Sequence, residues 1–196
     1  MDTHTILHNE LKGSFDFFVN FTNLDPASPG FGLTVDSTKT PEVASIASVG
    51  FTLSAWVIAV ERGFMPRQQA LEITRQTLHT LLHHASHHRG FFAHFLDMAS
   101  GARLRKCEYS TIDTALCLNG VITAAAYFQD PEISDLAQQL LDRVDWNFII
   151  FERDGVTLFR MAYNPDEDGD YVTGAPGFIH QWDMAAEQKM MYLQAA

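Results

Sequence analysis

Three carboxylic side chains stand out because of what surrounds them: Glu108 and Asp113 in CEYSTIDTALCLNG (Cys107 to Gly120), and Glu187 in MAAEQKMMYLQAA (Met184 to Ala196). Each lies beside, at the start of, or inside a run that is otherwise apolar. Two carboxyl groups in unlike environments are the equipment that glycoside hydrolysis generally needs. One keeps its proton to help the leaving oxygen depart, and the other is ionised and activates water or attacks the sugar. Glu187 interrupts the apolar MAAEQKMMYL face, where an unused carboxylate would be costly to desolvate and would have its pKa raised, unless that side of the segment is exposed. The other two also have simpler readings. Ser110-x-x-Asp113 is close to a capping box, and Glu108 suits the positive end of the same helix. Trp182, Phe91 and Phe92 would either stack on sugar rings or belong to the core. His94 and Asp97, three apart in HFLD, would either bind a sugar hydroxyl or support a cleft.

The elements that must position these groups are mostly helical. Thr5 to Asn23 reads as a first helix, with Leu11, Phe15, Phe18 and Val19 near helical spacing. Pro41 to Val60 is apolar almost all round and rich in Ala, Ser and Gly, as expected for a helix buried on most sides. Pro66 to His84 is amphipathic, with Leu71, Thr74, Leu78, Leu81 and Leu82 on one stripe. The alternation repeats: Ile112 to Phe128 is again small and apolar all round, and Asp130-Pro131-Glu132 starts an amphipathic helix running through Leu136, Leu140, Leu141 and Val144. Alternating inner and outer helices predict stacked helical hairpins in an all-α single domain over 1–196, the inner helices packing together and the outer ones forming a shell. A small β-hairpin is expected near 148–163, turning at Asp154-Gly155. Asn164 to Gly177 reads as an acidic loop, and Met184 to Ala196 as one more inner-type helix.

Composition narrows the function. The chain has 196 residues, 46% hydrophobic, enough for one domain with a sizeable core. Thirteen basic against 24 acidic residues give a formal net charge of -11, which repels phosphate backbones and anionic lipid, so neither nucleic acid nor membrane is an expected partner. No stretch reads as a membrane span, and MDTHTILHNELKGSFDFF has no export signal, so the chain as written is expected in the cytoplasm, or in the periplasm or outside the cell if its N-terminus is incomplete. Cys107 and Cys117 read as unpaired, partly buried thiols. His79, His83 and His87, with His84 and His88, have spacings at which imidazoles share a metal, but they fall at the end of an outer helix, where the dipole and solvent favour histidine. DEDGD, Asp166 to Asp170, lacks the glycine and closing glutamate positions of an EF-hand. Neither a metal nor a cofactor is expected.

GFFAHFLDMASG (Gly90 to Gly101), CEYSTIDTALCLNGVITAAAYF (Cys107 to Phe128), RVDWNF (Arg143 to Phe148) and QWDMAAEQKMMYLQAA (Gln181 to Ala196) resemble successive blocks of the glycoamylase-like family. That family includes endo-β-1,2-glucanases and the central domain of cyclic β-1,2-glucan synthases. The resemblance covers nearly the whole chain from about Gly32 onward, with a glutamate before STIDTA as its most specific part. It implies a toroid of six helical hairpins around a sugar-binding cleft. It also implies an oligo- or polysaccharide substrate and catalysis by Glu187 and Glu108, with Asp113 orienting one of them or a water. His94, Asp97, Phe92 and Trp182 are then expected to contact substrate. Ala185 and Ala186 depart from the family's Tyr and Asn before Glu187. Members are roughly twice as long, so the chain corresponds to an incomplete (α/α)6 barrel. The alternative to an enzyme is a non-catalytic half that binds glycan, a second copy of itself or a companion chain through its open edge.

Overall fold

The computed structural model describes residues 2–165 and 176–196. The first helix, α1 (Thr3–Phe21), is capped by Asp2, whose side chain accepts from the Thr5 N–H at 3.0 Å. Its single buried residue, Phe15, stacks on Phe64 and meets Trp56 edge-on. A three-residue strand β1 (Val43–Ser45) follows, and then the inner helix α2 (Ile46–Glu61). The helix therefore begins five residues later than its composition predicts. Val43, Ala44 and Ser45 pair instead with Asp97, Leu96 and Phe95 of a later strand, which keeps their backbone extended.

The outer helix α3 (Arg67–His83) runs back along the core. Three two- or three-residue strands follow, β2 (His87–His88), β3 (Phe91–Phe92) and β4 (Phe95–Asp97), and then β5 (Tyr109–Ser110) leads directly into the second inner helix, α4 (Thr111–Phe128). The second outer helix, α5 (Pro131–Asp142), has Pro at its first turn and Asp130 as its cap, accepting from the N–H groups of Glu132 and Ile133. α2 and α4 are in backbone contact. A Cβ placed on Gly120 would lie 2.1 Å from the Gly50 carbonyl oxygen, so only glycine fits at this crossing. Half of α4 is buried, although its 18 residues are long and apolar enough by composition to cross a membrane, contrary to the sequence reading.

The predicted hairpin is present as β6 (Ile150–Arg153) and β7 (Val156–Asn164), with Asp154 and Gly155 both at positive φ, the backbone of a two-residue primed turn. It belongs to a larger sheet than expected. β5 pairs with β7 on one side, and β7 also pairs with β8 (Gly177–Trp182), giving four strands in all. Among the described residues the fold is therefore a shell of helical hairpins with three small sheets built against it, rather than all-α. The final helix α6 is only Lys189–Gln194. Gln188, buried, turns its side chain onto the preceding backbone, accepting from the Ala186 N–H and donating to the Met184 carbonyl, which replaces the helical bonding predicted for 184–188. The acidic segment Asp166–Asp170 lies outside the described residues.

Candidate functional site

The site forms where the two inner helices begin. Ser45 stands before α2 and Ser110 caps α4, so both positive helix ends face the same region. Three backbone bonds fasten the segment between them. The Ile46 N–H donates to the His94 carbonyl at 3.1 Å, the His94 N–H to the Glu108 carbonyl at 3.0 Å, and the Leu104 N–H to the Phe95 carbonyl at 3.0 Å. Arg103 fixes the loop before Glu108. Its Nε donates to the Cys107 carbonyl at 2.5 Å, and one terminal nitrogen donates to the Lys106 carbonyl and to Asn164 Oδ1.

On that frame one imidazole joins two carboxylates. His94 Nδ1 lies 2.7 Å from Glu108 Oε1, and its Nε2 lies 3.7 Å from Asp113 Oδ2. The Ser110 hydroxyl accepts from the Asp113 N–H at 3.2 Å and donates to Asp113 Oδ2 at 2.5 Å, so the predicted cap also orients the carboxylate. Burial pulls the His94 pKa down, but the hydrogen bond to Glu108 and the charges of Asp113, Glu108 and Asp36 outweigh it and hold the imidazole above its ordinary 6.5. In return the bond to His94 outweighs burial at Glu108 and keeps that carboxyl below 4.5, helped by the charges of His94 and Arg103. Near neutral pH Glu108 is ionised.

These groups open on a pocket of about 310 Å³ whose other walls are Ile112, Met161, Ala162, Ile179, His180 and Trp182. Trp182 donates from its indole N–H to the Thr111 hydroxyl at 3.3 Å, which turns its ring against the mouth of α4. Of the residues expected from sequence, Glu108, Asp113, His94 and Trp182 are thus brought together. Three are placed elsewhere. Asp97 accepts from the Ser100 N–H and hydroxyl at 2.9 and 2.6 Å, tying a turn instead of facing the pocket. Phe92 is 1% exposed and lies under the Arg143 guanidinium in the core. Glu187 is exposed in the turn before α6 and does not line the pocket. His180, Met161 and Ile179 were not anticipated; they arrive through β7 and β8, and pairing across the undescribed segment has no local sequence signal.

Among the described residues no group of three or more His, Cys, Asp or Glu side chains converges as a metal site. His79 contacts Glu132 at 3.1 Å and stacks on His83, while His88 is stacked on Tyr163.

Several solved structures share this architecture. A putative glucoamylase from Bacteroides uniformis superposes with a TM-score of 0.80 at 22% identity, covering 99% of this chain and 46% of its own. The chain has the glycoamylase-like fold. An endo-β-1,2-glucanase from Chitinophaga pinensis, solved with sophorotriose and glucose, gives 0.68 at 19% identity over 85% of this chain and 42% of its own. A β-1,2-glucanase from Parabacteroides distasonis gives 0.77 at 19% identity, over 100% of this chain and 28% of its own. The chain therefore spans less than half the length of these glycoamylase-like structures. No family model and no curated protein matches its sequence.

Proposed function

We propose that this chain forms one wall of a sugar-binding cleft and acts on a β-linked glucan, with β-1,2 linkage the first to test, as a glycoside-hydrolase-like protein. The observation that carries the reading is the Glu108–His94–Asp113 cluster lining one pocket with Trp182, on a fold shared with β-1,2-glucanases. Glycosidic cleavage needs an ionised and a protonated carboxyl on either side of the bond. Glu108, held ionised by His94, suits the ionised role: it accepts a proton from the attacking water or hydroxyl. Asp113 is the second carboxyl of the pocket, its oxygen fixed between the Ser110 hydroxyl and His94. By resemblance Glu187 is the catalytic partner of Glu108; it stands in the exposed turn before α6, outside the lining of this pocket, and is therefore included among the variants to test.

The test is reducing-sugar release from a panel of β-glucans by the wild-type chain, Glu108→Gln, Asp113→Asn and Glu187→Gln. Release confined to one linkage and lost in Glu108→Gln supports an enzyme. Binding of glucan without release supports a second reading, a non-catalytic half. That reading draws on the apolar side chains left exposed on the inner helices, Phe51 at 54%, Ile58 at 49% and Leu193 at 84%, which a second copy or a companion chain would cover. Light scattering that returns a monomer with no tendency to associate would count against it.

A further inference from the structure

Six non-glycine residues have positive φ among the described residues: Arg89, Arg105, Lys106, Gln129, Asp154 and His180. Five of them sit where the chain turns or a helix ends, at which a left-handed residue is ordinary. His180 alone interrupts a strand. It has φ 48° in the middle of β8, whose neighbours are in register on both sides, Gln181 with Arg160 and Ile179 with Ala162. The Met161–His180 pair between them is missing from the ladder. The Met161 carbonyl accepts instead from the Thr111 hydroxyl at 2.7 Å, at the first turn of α4. The kink is thus built around the same helix mouth that carries Ser110 and Asp113, and it places an exposed imidazole on the wall of the pocket with Glu108 and His94.

A histidine in this backbone conformation is disfavoured relative to glycine, and such residues persist where surrounding structure imposes them, commonly at ligand sites. We propose that His180 is a ligand-contacting residue of the pocket, presented on its wall by the kink in β8 so that its exposed imidazole hydrogen-bonds a hydroxyl of the bound sugar. This rests on the glucan reading of the same pocket. An imidazole can donate from one nitrogen or accept at the other, which suits a hydroxyl that does both. It lines the pocket from β8 and is exposed, while the carboxylates come from the start of α4 and the residues before it, so its effect is on affinity and orientation of the sugar ring and not on proton transfer.

Calorimetric titration of the whole chain with sophorotriose, with thermal melts alongside, tests this on His180→Gly, His180→Ala and Glu108→Gln. Glycine takes positive φ freely while removing the imidazole. His180→Gly should therefore melt at or above the wild-type temperature and bind about five- to tenfold more weakly, as expected for one lost hydrogen bond. His180→Ala should show the same loss of affinity. Unchanged affinity in both variants, with binding lost in Glu108→Gln, overturns the role of His180 and leaves the pocket reading standing. A drop in affinity that comes with a lower melting temperature in His180→Gly also overturns it, by showing a structural role. No saturable binding by the wild-type chain overturns both.

Discussion

The two inner helices touch through glycine, and that contact sets the position of everything at their N-terminal ends. In Gly120→Ala the new methyl would meet the Gly50 carbonyl oxygen at 2.1 Å and the Gly50 carbonyl carbon and Cα at 2.7 Å. Comfortable packing requires ~3.5 Å. All three atoms are backbone, so no rotamer change relieves the clash and α2 and α4 must separate. Overpacking of this kind costs about 1–3 kcal/mol, and a backbone-against-backbone clash belongs at the top of that range. For a chain of this length about 3 kcal/mol corresponds to a fall in melting temperature of about 6–12 °C. Gly13→Ala is the matched control. Gly13 is an exposed position in α1, and an added methyl there would meet nothing within 4 Å, so alanine should stabilise by about 0.5–1 kcal/mol. Differential scanning calorimetry on the two variants should give shifts of opposite sign. A Gly120→Ala protein that melts with the wild type would refute the close crossing and, with it, the placement of Ser110 and Asp113 beside His94.

Other expectations follow from the same geometry. Glu108→Gln replaces the charge-assisted hydrogen bond that most raises the His94 pKa by at best a neutral one and removes the Glu108 charge, so the imidazole should titrate at lower pH than in the wild type, read by NMR; an unchanged titration would mean the pair is not formed. Stability should be greatest where both partners are charged. Glu108, with a lowered pKa, contributes above 4.5 and loses its contribution as the pH falls through its folded value, while His94, with a raised pKa, contributes below 6.5 and loses it as the pH rises through its own. Denaturant melts across pH should therefore weaken on both sides of that window, and His94→Gln should flatten the profile. Ser110→Ala should cost about 1 kcal/mol through loss of the α4 cap, seen as a melting temperature lower by about 2–4 °C. Burial pushes the Cys117 thiol up to about 12, so it should resist alkylation until the chain unfolds.

The helices were legible because their apolar residues follow one stripe or surround the whole cylinder, and because Pro131 and Asp130 mark a start in local terms. The Ser110–Asp113 cap was readable for the same reason: it involves residues three apart. The strands were mostly hidden. β1 to β5 are two or three residues long and owe their extended backbone to partners elsewhere in the chain, as Val43 does to Asp97 and Tyr109 to Tyr163. Composition therefore assigned Val43–Ser45 to the helix that follows. Glu108 and His94 were candidates by residue type, but their mutual contact depends on a backbone bond across fourteen residues that no periodicity reports. Phe92 and Asp97 show the converse: residue types suited to sugar contact were satisfied by the core and by a local turn. Glu187 looked costly on an assumed helix, and that cost disappears where Gln188 breaks the helix and leaves Glu187 exposed.

The central claim is that a β-linked glucan binds over the Glu108–His94–Asp113 cluster. Histidine imidazole NMR during titration with sophorotriose tests it directly, because the chain carries its own controls. The resonances of His94 and His180 should shift saturably while those of His79 and His83, stacked on the outer helix, stay fixed. Saturable shifts confined to His79 and His83, or no shift at His94 at any concentration, would contradict it.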